Sequence, residues 1–487
     1  MDALAASLQV IADWITVHIT MWVLIATGLF LTVATRGVQL RHLGTMLRQV
    51  GGSRGGARGG ISSFQAFAIS LAARVGVGNV FGVAAALLMG GPGAIFWMWV
   101  VALVGMATAF FEATLAQIFK VRADDGSFRG GPAFYMARGM RNRVLAGVFA
   151  AITLITCGFI ITSVQSNAVA GTLVAALGGG QESALPGFGG LTAAQLVVAG
   201  LVFVLTAVVV FGGIRAVARV TEWMAPIMAL VYIVLVLIIC LANLSDFIRV
   251  IGQIFSSAFA PEPLVGGLGG GILAAVINGT KRGLFSNEAG QGTAPNAAAT
   301  ATVAHPVQQG FIQSLGVFVD TIIVCTATAF VILIAGPETW GAEGADPSTL
   351  TTLAISHELG GWTVLPMAIL IFVLAYSSII AAYVYTDVNM DYLTGGRRWA
   401  SWTVRVVSVV SATAGAALSL DVVWNAVDIA MAVMTLTNLV ALLWLFRWGA
   451  GALRDYEAQR ARGVADPVFR GRGNQHLPAD VPGDAWD

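Results

Sequence analysis

Ala72-Ala73-Arg74-Val75-Gly76-Val77-Gly78-Asn79 interrupts an apolar run that extends from roughly 61 to 89. A run of that length crosses a bilayer, which takes ~20 mostly apolar residues. The paired glycines near its mid-depth are poor helix formers and permit non-helical dihedrals. Opening a helix inside hydrocarbon strands N–H and C=O groups, which is costly unless they line a cavity or hold a ligand. A second stretch of this kind, Asn278-Gly279-Thr280-Lys281-Arg282-Gly283-Leu284-Phe285-Ser286-Asn287-Glu288-Ala289-Gly290, interrupts the apolar run 266–290. Glycines of this sort also serve plain helix–helix packing. Two matched interruptions favour a site, with released N–H groups and a helix N-terminus for an anion and released carbonyls for a cation.

The rest of the chain fits a membrane setting. Of 487 residues, 57% are hydrophobic and 10% charged, with mean hydropathy +0.82. Soluble domains are about 25% charged, so the bulk of the chain is a polytopic membrane protein. A net charge of +1 excludes nucleic-acid binding driven by a basic surface. The apolar runs predict an all-α protein with about 11 transmembrane helices, at 13–35, 61–89, 92–120, 144–177, 190–211, 218–243, 266–290, 310–336, 361–391, 400–418 and 425–448. The first reads as a retained helix: no basic segment precedes it, and Arg36 follows it. Cys157, Cys240 and Cys325 fall in apolar runs and read as small core residues.

All but two of the 26 Lys and Arg residues fall on one side of this arrangement; Arg249 stands on the other and Arg74 lies inside a span. That asymmetry predicts an outside N-terminus and a cytoplasmic C-terminus. Residues 1–60 hold an extra helix and an Arg-rich linker. The remaining ten spans divide into 61–243 and 244–448, each half opening with an interrupted helix. Halves of odd span number insert in opposite orientations, the pattern of an inverted repeat with its site at the interface. Residues 449–487 read as a polar cytoplasmic tail. No HExxH or GxSxG motif and no long soluble domain suggest an enzyme, and no repeated filter suggests a channel.

Gly76-Val77-Gly78-Asn79, Gly90-Gly91-Pro92-Gly93-Ala94-Ile95-Phe96-Trp97-Met98-Trp99, Gly130-Gly131-Pro132-Ala133-Phe134-Tyr135-Met136, Phe285-Ser286-Asn287-Glu288-Ala289-Gly290-Gln291-Gly292 and Asp484-Ala485-Trp486 resemble the alanine/glycine:cation symporter family over nearly the whole chain. The resemblance implies a LeuT-type 5+5 fold with one additional helix and sodium-coupled uptake of small neutral amino acids, with Na+ as coupling ion and no organic cofactor.

An amino-acid zwitterion needs an anion cradle, an ammonium partner and a side-chain pocket. The N–H groups around Gly76, Val77 and Gly78 are candidates for its carboxylate, and Asn79 offers both a carbonyl and an amide. Phe285, Ser286, Asn287 and Gly290 mark the second binding segment. Gln165, at mid-span beside Asn167, resembles a family glutamine that approaches substrate. For the ion, the resemblance implies the hydroxyls of Ser377 and Ser378 with the carbonyls of Ala72, Val75 and Leu374. Val77 stands where family members commonly carry Thr, and Ala382 where a Trp closes the pocket. The space so released suits a longer neutral side chain such as glutamine. Arg74, Glu112, Glu288 and Asp320 are intramembrane charges that need partners. Glu288 is the functional candidate among them, Glu112 and Asp320 read as structural, and Arg74 is expected to pair with a carboxylate. A proton-coupled transporter with Glu288 as carrier is the alternative reading.

Overall fold

The computed structural model of the chain describes residues 2–52, 60–123, 126–176, 191–260, 271–342, 344–416 and 420–486. Arg54 and Arg58 of the first basic loop lie outside them. Among the described residues eight helices are long and apolar enough to cross a membrane: α1 (Val10–Ala34), α4 (Gly93–Ile118), α6 (Arg143–Ala176), α7 (Ala193–Val210), α8 (Gly213–Ala242), α12 (Pro306–Ile334), α14 (Gly361–Thr394) and α16 (Val427–Trp444). The pair α2 (Ser63–Arg74) and α3 (Gly78–Gly90), bent by 48° at its break, makes a ninth when counted as one span. The other two predicted spans form α10 (Gly271–Asn287), followed by the short α11 (Ala294–Ala299), and α15 (Arg398–Gly415). By length and composition eight or nine of the eleven expected spans qualify among the described residues; α10 falls below that measure because it is short, and α15 because it carries Arg398 and Arg405.

Local chemistry fixes the ends of these helices. Ser62 and Gln65 form a reciprocal capping box at the start of α2, and Thr192 with Gln195 does the same for α7. Pro306 sits at the first turn of α12, where its missing N–H costs nothing. Gly395, at φ 68°, closes α14 in the left-handed conformation that glycine adopts freely. Wide π-helical turns interrupt α12 at Phe318–Cys325 and α6 at Thr156–Ile161, and one opens α3 at Gly78–Gly82. Such turns release backbone groups and recur at functional sites.

α4 is the central helix, with 72% of its apolar window buried; α7, with 22%, lies at the periphery. Val197, Val204 and Val208 on α7 and Trp223, Leu230 and Leu241 on α8 point outward, an apolar exterior suited to lipid. Two helices outside the predicted spans lie at one end of α4. Leu244–Ala258 (α9) is amphipathic and lies across the N-terminal end of α4, where Trp97 Nε1 donates to Ala258 O at 3.2 Å. Pro347–Leu359 (α13) joins the same end, and Asn243 bonds Glu358 nearby at 2.8 Å.

The opposite end gathers the arginines. A hairpin of β1 (Val121–Arg122) and β2 (Phe128–Arg129) follows α4, the short α5 (Pro132–Arg138) comes after it, and Arg129 pairs with Asp391 at 2.9 Å. The helix α17 (Phe446–Ala461) joins this end through Glu457, which meets Arg41 and His42, each at 2.9 Å. Residues 462–486 then fold back under the bundle. Phe469 N donates to Ala304 O at 3.0 Å, and Trp486 Nε1 to Gln117 O at 2.9 Å. Lys120 lies beneath, 4.4 Å from the Trp486 ring and 4.0 Å from that of Phe128. Burial, with Arg122 adding to it, pushes the Lys120 ammonium down to about 7. At this same end a parallel bridge pairs Ile61, ahead of α2, with Ala301, just after α11.

The second interruption lies elsewhere than the glycines suggest. Asn278 through Asn287 are helical, so Gly279 and Gly283 do not open α10. A Cβ on Gly283 would stand 3.4 Å from Met98 Cα, and one on Gly279 2.8 Å from Trp97 Cβ; these glycines let α10 lie against α4. The chain breaks at 288–293 instead, where Glu288, Gly290 and Gly292 all have positive φ. Lys281 and Arg282 consequently lie inside α10 rather than in a basic loop. Lys281 meets Asp13, and Arg282 stands 4.0 Å from Asp428.

Candidate functional site

At the first break, α2 ends at Arg74 and the chain turns through Val75, Gly76 and Val77. The released N–H groups already have acceptors. Gly76 N donates to Asn79 Oδ1 at 2.9 Å, and Val77 N to Gln165 Oε1 at 3.3 Å. Gln165 therefore reaches the break from α6. Asn167, two residues on, bonds Gly415 O at 3.2 Å and links α6 to α15.

The two breaks meet through Asp320. Asn79 Nδ2 donates to Asp320 Oδ1 at 2.6 Å, and Ser286 Oγ to Asp320 Oδ2 at 2.7 Å. Asn79 Nδ2 also lies 3.0 Å from Ser286 Oγ, and Thr321 Oγ1 2.7 Å from Asp320 Oδ2. All four residues are buried. Asp320 belongs to the π-helical turn of α12, which aims the carboxylate sideways at both segments. Phe285, the neighbour of Ser286, lies over Gly78, where a Cβ would approach its ring to 2.9 Å. Gly78 thus provides the close approach of the two broken helices. Asn287 Oδ1 accepts from Ala289 N at 2.9 Å, while its buried Nδ2 has no hydrogen-bond partner among the described residues.

Glu112, on α4, closes the second break. Its carboxylate accepts from Gly290 N at 3.0 Å, Gly292 N at 2.8 Å and Asn438 Nδ2 at 2.6 Å. Asn438 in turn accepts from Tyr135 and donates to Gly290 O. Glu288 adopts φ 56° at the end of α10, where glycine is usual. Its Oε2 takes bonds from Thr293 at 2.9 Å and Tyr385 at 3.3 Å.

Arg74 departs from expectation: among the described residues it forms no ion pair. Its Nη1 reaches Gln313 O and Oε1 at 3.2 and 3.3 Å, while Nε and Nη2 have no partner. The side chain is almost wholly buried. Its charge acts on Glu112, Glu288 and Asp320 together, a shared field in place of one contact.

A cluster of oxygens flanks the first break on the side of α14. Ser377 Oγ lies 2.9 Å from Ala72 O and 2.7 Å from Leu374 O. Ser378 Oγ lies 3.0 Å from both Ala72 O and Ala73 O and 3.4 Å from Leu374 O. Two hydroxyl protons cannot serve all of these approaches at once. Neutral oxygens crowded in this way suit a hard monovalent cation. Among the described residues no cluster of three or more His, Cys, Asp or Glu suits another metal. Ser378 reaches Ala73 O, and among the described residues neither serine forms a hydrogen bond to the expected Val75 carbonyl. Ala382 lies one turn beyond Ser378, buried on α14.

Sequence reasoning left Asp320 and Glu112 as structural charges and passed over Ala73, Asn438 and Tyr135. Each acidic residue lies alone in an apolar run, and that isolation was the available signal.

The sodium:alanine symporter family model matches residues 1–471. The chain is 41% identical over 466 residues to the amino-acid carrier protein AlsT of Bacillus subtilis, covering 96% of this chain and 94% of the relative. It is 37% identical over 447 residues to the probable sodium/glutamine symporter GlnT of the same organism (92% and 89%). It is 35% identical over 430 residues to the sodium/alanine symporter AgcS of Methanococcus maripaludis (87% and 90%). With two broken helices joined at a polar centre and an oxygen cluster beside them, the chain belongs to the sodium:alanine symporter family, whose members are transporters and not enzymes.

Proposed function

We propose that the chain imports small neutral amino acids with sodium by alternating access, taking alanine and glycine and admitting glutamine as its longest side chain. The observation that carries this reading is the convergence of Ser377, Ser378, Ala72 and Leu374 oxygens at the first break, beside the Asn79–Asp320–Ser286 network. Sodium occupies the oxygen cluster. The substrate carboxylate displaces Asn79 Oδ1 and Gln165 Oε1 from Gly76 N and Val77 N, and its ammonium takes the acceptors around Ser286 and Asp320. Asn287 Nδ2 adds a donor. Because the ion shares Ala72 with the helix that carries the cradle, filling one site orders the other.

The 5+5 inverted repeat accounts for two broken helices that meet at their middles, with the first helix as an addition. The basic end faces the cytoplasm and the N-terminus lies outside. A charge moved through ~100 mV gains ~2.3 kcal/mol, so one sodium ion supports roughly fifty-fold accumulation of a neutral solute from potential alone.

Purified protein in liposomes with an imposed sodium gradient tests the reading. Labelled alanine should accumulate, and replacing sodium with choline at fixed pH should abolish uptake. Uptake that persists in choline and collapses with a protonophore would transfer coupling to protons and to Glu288. Failure of excess glutamine to inhibit alanine uptake would restrict the substrate to the shorter side chains.

A further inference from the structure

A cavity of about 190 Å³ opens at the basic end, apart from the two breaks and beside the Ile61–Ala301 bridge. Water takes ~30 Å³ per molecule in the liquid, so the space admits one small organic solute. Its charged lining is Arg129, Arg215, Arg405 and Asp387, and its polar lining includes Tyr383 and Ser401. Arg129 is held by Asp391 at 2.9 Å. Asp387 accepts from Ser401 Oγ at 2.9 Å. Tyr383 is 1% exposed and its hydroxyl faces Arg405 and Ser401, but neither that hydroxyl nor the buried Nε of Arg405 completes a hydrogen bond of normal geometry among the described residues. Buried donors left in this condition cost free energy unless a solute or water meets them.

The lining selects the solute. Guanidinium and phenol donors favour an anionic group, while the Asp387 carboxylate in the same cavity disfavours a purely anionic one and favours an ammonium. Both signs within one small volume match a zwitterion. Position agrees as well: Tyr383 and Asp387 follow Ser378 by five and nine residues on α14, which is about 7.5 and 13.5 Å along a helix axis. The cavity therefore lies between the oxygen cluster and the basic end, on the helix that carries both.

We propose that this cavity is a second α-amino-acid site, on the release side, with Arg405 and Tyr383 receiving the carboxylate and Asp387 the ammonium. It rests on the amino-acid symport reading and on the basic end being cytoplasmic. Among the described residues no oxygen cluster like that of Ser377 and Ser378 accompanies it, and we take its binding to be independent of sodium.

Equilibrium binding of labelled alanine to the purified full chain, in sodium and in choline, separates the two sites. The wild type should show a sodium-dependent component and a weaker one that persists in choline. Arg405→Gln and Asp387→Asn should each weaken the persistent component at least tenfold, with partial return in Arg405→Lys and Asp387→Glu. The sodium-dependent component in the same samples reports whether each variant folds. Absence of any sodium-independent binding in the wild type, or its indifference to both substitutions, would overturn the proposal. Displacement by inorganic phosphate at concentrations where glycine has no effect would make the cavity an anion site and overturn it equally. Loss of the sodium-dependent component from the wild type would instead strike the symport reading.

Discussion

Asn79 donates to Asp320 at 2.6 Å, joining the first broken helix to the π-helical turn of α12, and Ser286 of the second broken helix donates to the same carboxylate. One side chain thus holds both breaks. Asp320→Asn keeps the volume but turns part of the acceptor into a donor facing other donors. Sodium-driven alanine uptake should fall at least tenfold (the ~1.5–3 kcal/mol of a charged hydrogen bond) while the purified protein stays folded. Ser286→Ala, which leaves the Asn79 bond intact, should fall less. Initial rates in liposomes decide between these outcomes.

Ser377 and Ser378 converge on carbonyls of α2 and α14. Removing either hydroxyl should raise the sodium concentration for half-maximal uptake roughly ten-fold or more, since a bond to a charge contributes ~1.5–3 kcal/mol. The maximal rate at saturating sodium should change less. A sodium titration at fixed alanine measures both.

Glu112 satisfies two backbone N–H groups of the second break and the Asn438 amide. Glu112→Ala leaves them buried without acceptors, at ~1–3 kcal/mol each, so the melting temperature should drop sharply. Glu112→Gln, which retains an acceptor, should recover part of the loss. Thermal unfolding followed in detergent compares the two.

Lys120 binds fewer protons in the fold than in the unfolded chain, because burial holds its ammonium down to about 7 against ~10.4 for a free lysine. Stability should therefore rise with pH between about 7 and about 10 through this group. Lys120→Met should flatten that rise. Melting temperature measured across this range for both proteins provides the check.

The first break was legible because Gly76 and Gly78 stand one residue apart, with the polar Asn79 beside them, at mid-depth of an apolar run. The second was misplaced by glycines of another kind. Gly279 and Gly283 create close contact between α10 and α4, whereas the opening is set by Glu288 at positive φ and by two N–H groups held from a distant helix. Local sequence carries the first signal but not the second, which depends on Glu112, far away in the chain. The serine pair and Gln165 were legible only through resemblance, since hydroxyls and amides in apolar helices are otherwise ambiguous. Arg74 was expected to find a single carboxylate; its guanidinium instead turns to Gln313, and no spacing rule foretells that choice.

The bridge between Ile61 and Ala301, with Thr302 N on Ile61 O at 3.1 Å, has a mechanical meaning. It yokes the root of α2 to the segment that follows α11, so neither broken rod can tilt without dragging the other. Under the symport reading proposed above, ion and solute would then ride on one body, joined at its root.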